Sequence, residues 1–196
     1  MAVPQAVRGC SVMPISCQNR QYFPPILGNI PKELQRYHHW VVWKAVPNTK
    51  QDKPGKIPIH PGTGNGARTN DPRSWGTFAQ ASAFCQRWLG KEHSHIVKDG
   101  AVLSGPVCGI GFVLTTSDPF VGIDLDDCIT AGKHIESWAR EIIATIQSYT
   151  EISPSGKGIR IFAEGKLPGK ACRAGSVEVY EQGRYLTVTG RAVADG

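Results

Sequence analysis

Residues 109–126 read Gly109-Ile-Gly-Phe-Val-Leu114, then Thr-Thr-Ser-Asp-Pro, then Phe120-Val-Gly-Ile-Asp124-Leu-Asp126. Two apolar runs rich in β-branched and aromatic residues flank a polar turn ending in Pro119. The spacing predicts strand, turn and strand, joined as a hairpin. Residues two apart on a strand point to the same face. Asp124 and Asp126 therefore project together, while Leu125 turns the other way into packing. Two carboxylates on one face raise each other's pKa unless a cation neutralises them. Mg²⁺ or Mn²⁺ with oxygen ligands does so, and leaves positions for substrate phosphates. The plain alternative is a strand end running into an acidic turn, with Asp126 or Asp127 capping the next element.

Toward the C-terminus, Ile135 to Tyr149 predicts an amphipathic helix, with Ile135, Trp138, Ile142, Ile143 and Ile146 on one side. Thr150–Ser153 and Gly158–Ala163 predict strands around the loop Pro154-Ser155-Gly156-Lys157. Glycines there let backbone N–H groups approach an anion, Ser155 can donate a hydrogen bond, and Lys157 and Arg160 bring positive charge. That chemistry suits a nucleoside triphosphate, although the G-x-x-x-x-G-K-[ST] spacing of a Walker A loop is absent. A β-turn with solvated charges is the alternative. Val177–Tyr180 and Arg184–Thr189 predict a last hairpin around Gln182-Gly183. Glu178 lies between two valines, so it faces away from them, either as a third metal ligand or as an exposed residue on a sheet face.

Toward the N-terminus, His39–Trp43 predicts a strand, and Lys56–Ile59 a short edge strand because of Pro58. Residues 61–73 read as a loop. Ser74 to Leu89 has apolar residues at 75, 78, 81, 84, 85 and 88, which is helical spacing, with Ser74 as its cap. Residues 90–106, with His93 and His95, read as a second loop with room for extra elements. Pro31–Leu34 reads as a first helical turn. Residues 1–28 lack periodicity and predict a disordered or loosely attached arm, in which an extra strand stays open; the domain proper then covers 29–196. Strands with two substantial helices interspersed predict an α+β fold with a mixed or antiparallel sheet.

Composition sets the class. Of 196 residues, 40% are hydrophobic and 19% charged, which is globular rather than disordered. The 22 Lys and Arg exceed the 16 Asp and Glu, a net +6 that favours polyanions through counterion release. Six cysteines without a C-x-x-C pair argue against a zinc ribbon or a tight disulfide framework and for reduced thiols. No apolar run approaches the roughly 20 residues that cross a bilayer. Nor does the N-terminus hold the continuous apolar run of a signal peptide. A cytoplasmic protein with no membrane partner is expected.

Taken in order, Asp124-Leu125-Asp126, Ser155-Gly156-Lys157-Gly158-Ile159-Arg160 and Val177-Glu178-Val179-Tyr180 resemble the three motifs of the archaeo-eukaryotic primase superfamily. The similarity is to the primase–polymerase domains of phages, plasmids and integrated elements. Upstream, Trp40-Val41-Val42-Trp43-Lys44, Lys56-Ile57-Pro58 and Asp71-Pro72-Arg73-Ser74-Trp75 are similar too, as is Arg184 to Gly190 downstream, so the resemblance covers roughly residues 30–192. It implies an RNA-recognition-motif-like sheet with flanking helices and two-metal nucleotidyl transfer on a template. Asp124, Asp126 and Glu178 would hold Mg²⁺ or Mn²⁺. Ser155, Lys157 and Arg160 would contact the incoming dNTP or NTP, with Lys56 a weaker candidate. Single-stranded DNA template and primer, and a helicase in the same full-length chain or in trans, are the partners it implies. Two departures stand out. Arg160 occupies a position where the family usually carries His; arginine binds phosphate but relays no proton near neutral pH. The sequence also stops at Gly196, soon after the last motif, so a chain expected to extend primers is expected to start them poorly.

Rival readings are a metal-dependent nuclease, which has less need of the basic loop, a D-x-D glycosyltransferase, whose strand–helix order is absent, and a non-catalytic nucleic-acid-binding replication-initiator module. The last needs neither Asp124 nor Asp126. Trp40 and Trp43 could stack on bases there, although alternation on their strand points more simply to core.

Overall fold

A computed structural model describes residues 13–97, 99–169 and 172–193 of the chain. It is α+β, built on two antiparallel sheets with few helices. The first sheet is laid out around β3 (Trp40–Val46), which pairs with the edge strand β4 (Gly55–Ile59) and with the long β6 (Val102–Val113). β6 also pairs with β5 (Glu92–Ile96) along its first half and with β12 (Tyr185–Val188) along its second.

β3 is buried on both faces, and its apolar run is interrupted only by Lys44, itself fully buried. Trp40 and Val42 face the main core with Phe112, Ile110 and the helix α2 (Phe78–Trp88). Trp43 and Ala45 face the other way, under a hairpin of β1 (Ile15–Cys17) and β2 (Arg20–Tyr22). Residues 15–22 of the expected arm form this hairpin: Ile15, Cys17 and Tyr22 are buried, and Tyr22 meets Trp43 edge to face at 5.2 Å. Residues 1–12 lie outside the described residues.

The second sheet has the order β10 (Cys172–Ala174), β11 (Val177–Tyr180), β7 (Phe120–Leu125), β9 (Ile159–Glu164), β8 (Tyr149–Ile152). Ile123, Leu125, Ile159 and Ile161 bury one face against α3 (Ser137–Ile146), through Ala139 and its neighbours. The opposite face meets the first sheet, where Phe120 and Phe162 join Phe112, Leu114 and Leu186. Gly122 lets the sheets approach closely: a Cβ there would stand 2.5 Å from Leu186 and 2.6 Å from Leu114.

Several expectations are corrected. β6 and β7 do not form a hairpin; they lie in different sheets, as do β11 and β12. Both short connections instead carry the chain from one sheet to the other, side by side, with Leu114 N donating to Arg184 O at 2.9 Å. The turn at 115–120 is held by the buried Asp118, which accepts from the backbone N–H groups of Thr115 and Phe120 and stands 3.2 Å from His39 Nδ1. Runs that are apolar on both faces carry no record of which strand they pair with.

α2 begins at Phe78, not Ser74. Thr77 caps it in a reciprocal capping box with Gln80, while Ser74 Oγ donates to Asp71 O in the preceding turn. The stretch expected as a second loop holds β5 and the first half of β6. α3 is shorter than its periodicity, ending where Gln147 turns left-handed. The edge strand β4 and the short helix α1 (Lys32–Gln35) stand where the sequence puts them.

Candidate active site

Directly opposed residues on antiparallel strands share a face. In the second sheet the registers Arg173↔Glu178, Glu178↔Asp124, Asp124↔Arg160 and Arg160↔Glu151 run on from strand to strand. A single row of charged side chains therefore crosses all five strands, on the face turned toward the first sheet. Leu125 points to the other side and is fully buried, as its place between two aspartates requires.

Asp124 sits at the centre of the row. Arg160 Nη2 reaches its Oδ2 at 3.4 Å, and its Oδ1 is buried with no hydrogen-bond partner. Asp126 is one step further along, its N–H donating to Ser176 O at 2.8 Å and its side chain exposed. Partial loss of hydration beside the loop, with the Asp124 and Glu178 charges, pushes the Asp126 carboxyl above its ordinary range. An unpartnered buried carboxylate oxygen beside a second strained carboxylate fits a hard divalent cation with oxygen ligands. Glu178 is more engaged: Arg173 stands 3.1 Å from one oxygen and Tyr180 donates to the other. Among the described residues, no group of three or more acidic, His or Cys side chains is gathered at metal-holding distance.

The loop between β8 and β9 lies beside Asp126. Ser153 Oγ accepts from Gly158 N and contacts Ser155 Oγ at 3.1 Å, which fixes the turn. Gly158 has no room for a side chain, since a Cβ would be 2.6 Å from Leu125 O. This contact presses the loop against the end of β7. Ser155 and Lys157 then line a cavity of about 110 Å³ together with Asp126, Lys56, Lys53 and Arg20. Lys56 comes from the first sheet, half-buried, 5.8 Å over the Trp43 ring. Burial, helped by Arg160, lowers its ammonium to about 8 against the pull of Asp124 and Asp126.

The structure thus gathers Asp124, Glu178 and Arg160 in one row, and Asp126, Ser155, Lys157 and Lys56 around one cavity. Arg160 is buried, with Nη1 donating to Thr187 O and Oγ1 on β12. It faces Asp124 rather than the cavity. Sequence reasoning missed Arg20 and Lys53, which stand in polar stretches without a motif, and gave no role to Glu151, whose burial only the sheet register reveals.

No protein-family model matches the chain. The chain is 42% identical over 172 residues to the DNA primase-polymerase of Nitratiruptor phage NrS-1, covering 84% of this chain and 21% of the phage protein. It is a homologue of a phage DNA primase-polymerase. This homologue spans about a fifth of the length of the relative it matches.

The primase-polymerase homologue also carries a groove beyond the charged row. Two adjoining cavities of about 430 and 410 Å³ share Thr69, Asn70 and Gly183. One is lined by Arg68, Arg184 and Tyr185, and the other reaches Trp75 and His39. Arg184 stacks at 5.1 Å on Tyr180, and Tyr185 Oη donates to Lys56 O, so the groove opens beside the candidate site.

Proposed function

We propose that this chain is the nucleotidyl-transfer domain of a primase–polymerase of the archaeo-eukaryotic type, serving replication of a phage, plasmid or integrated element in a bacterial cytoplasm. The observation that carries the reading is the meeting of Asp126 with a cavity lined by Arg20, Lys53, Lys56 and Lys157, where Lys56 feels the charges of both Asp124 and Asp126. The second sheet, with α3 on one face and the charged row on the other, supports an RNA-recognition-motif-like core. Asp124 and Asp126 would hold Mg²⁺ or Mn²⁺, with Glu178 joining once released from Arg173. Bound there, the metals supply activation of the attacking 3′-hydroxyl and charge neutralisation at the leaving pyrophosphate.

The chain's own residues do the rest. The four cations of the cavity and the Ser155 hydroxyl bind the triphosphate of a dNTP or NTP and orient its α-phosphorus toward the carboxylates. Lys56, held by β4 on the first sheet, faces the carboxylates of the second, so the packing of the two sheets sets the reacting geometry. The groove from Arg184 to Trp75 takes the single-stranded template, with arginines on phosphate and polar side chains along the strand. A helicase, in a longer chain or in trans, would supply that strand.

The test is primed synthesis with labelled dNTPs or NTPs in Mn²⁺ or Mg²⁺, beside the Asp124→Ala, Asp126→Ala double variant. Template-dependent products that vanish in the variant are expected. Intact DNA binding with no synthesis in either metal would instead establish a non-catalytic binding module.

A further inference from the structure

We propose that Phe23 is a positioning residue for nucleotide binding: its ring braces the loop at 154–157 from outside, so that Ser155 and Lys157 stand at the cavity before a triphosphate arrives. The role presupposes the nucleotide site proposed above. Residues 23–26 follow β2 as a strap between two other segments. On one side, Phe23 N–H donates to Pro154 O in the loop itself, at 2.8 Å. On the other, Ile26 N–H donates to Thr189 O at 2.7 Å, and Arg191 Nη2 donates to Pro24 O at 3.0 Å. Gly190, at φ +64°, has no room for a side chain beside Ile26 O. Residues 189–191 are in turn fixed to β8. The buried Glu151 accepts from the N–H groups of Thr189 and Gly190, and Ile152 N–H donates to Arg191 O at 2.9 Å. The strap is thus tied both to the loop and to the strand that leads into it.

The base of the loop is held by its own backbone. Ser153 N–H donates to Gly158 O at 2.8 Å, and Ile129 N–H donates to Lys157 O at 2.9 Å. The tip is different. Gly156 stands at φ +70°, a conformation that glycine enters and leaves freely. A Cβ there would meet the Phe23 ring at 3.0 Å and, among the described residues, nothing else within 4 Å. Arg191 lies over that ring at 5.2 Å. Phe23 keeps 37% of its surface exposed, whereas the adjacent Tyr22 is buried in the core, so the contact of Phe23 bears on the loop more than on the fold. A loop already in its bound shape gives up less conformational entropy when the triphosphate binds.

Phe23→Ala, Phe23→Leu and Lys157→Ala test this, with calorimetric binding of non-hydrolysable dNTP and NTP analogues in Mn²⁺ and with the kinetics of primed synthesis. Phe23→Ala should bind the analogue about tenfold more weakly, the scale of ordering one residue of backbone on binding. Its KM for nucleotide should rise in step while kcat at saturation holds, as for a lost binding contribution. Phe23→Leu, which keeps apolar bulk against Gly156, should recover most of the affinity. The Gly156 N–H, which donates to Ser153 O at 2.9 Å, should exchange with solvent faster in nucleotide-free Phe23→Ala than in wild type. Wild-type affinity in Phe23→Ala beside weakened Lys157→Ala would overturn the inference and leave the nucleotide site standing. So would a fall in kcat at unchanged KM, or a marked drop in the urea midpoint of Phe23→Ala, which would assign the ring to the fold. Wild-type affinity in Lys157→Ala, or no binding of either analogue by the wild-type protein, would overturn the site reading and this inference with it.

Discussion

Lys44 is fully buried in β3, where its ammonium donates to the carbonyls of His93, at 2.7 Å, and Leu103. Burial lowers its pKa from 10.5 to about 8, and Glu92 opposes the fall. Between these values the unfolded chain binds more protons at this site than the folded one. The stability it contributes therefore rises with pH across that window, and the penalty is fully present below about 8. Lys44→Met should remove this slope. Urea unfolding of both proteins at about pH 7 and about pH 9.5 should show wild type gaining on the variant at the higher value. Parallel behaviour would mean that Lys44 titrates in the fold as it does in the unfolded chain, its ammonium fully compensated by its partners. The same physics governs Arg160 and Glu151: a charge out of water is tolerated where fixed partners replace the solvent.

At the scale of elements, the hairpin of β1 and β2 has two separable duties. Tyr22 seals Trp43 from beneath, while Arg20 reaches the cavity beside Asp126. Tyr22→Ala should cost about 3 kcal/mol of stability, as other large aromatic truncations do, read as a fall in the urea midpoint. Arg20→Ala should leave that midpoint unchanged and weaken binding of a non-hydrolysable nucleoside triphosphate several-fold, measured by calorimetry. A stability loss in Arg20→Ala with unchanged nucleotide affinity would make the hairpin a cover alone. The loop from Ser153 to Gly158 works by the opposite device, since its place depends on a missing side chain. Both elements bring cations to one cavity, from segments far apart in the chain.

The whole molecule is two sheets that share a core. Phe112 is its hub, fully buried and in edge-to-face contact with Trp40 of its own sheet and with Phe120 and Phe162 across the sheet boundary. Phe112→Ala should cost roughly 3–5 kcal/mol. It should also leave unfolding a single transition, the same by tryptophan fluorescence and by circular dichroism. Two separated transitions would show that the sheets are independent units. The sequence by itself determined part of the arrangement: the period of two in residues 121–125 turns Asp124 away from the side on which Leu125 enters the core, and Pro58 puts Lys56 on an edge strand. These features follow from alternation and backbone chemistry within a few residues. It misjudged Phe120 and Arg184 as second halves of hairpins, because uniformly apolar runs do not name their partners. Only the tertiary structure decided that Glu151, Arg160, Asp124 and Glu178 form one row, that Arg20 and Lys53 share a cavity with Asp126, and that Lys56 faces the carboxylates from the other sheet. Strand registers and the closing of one sheet on another are settled by burial summed over the whole core, and no local stretch of sequence carries that sum.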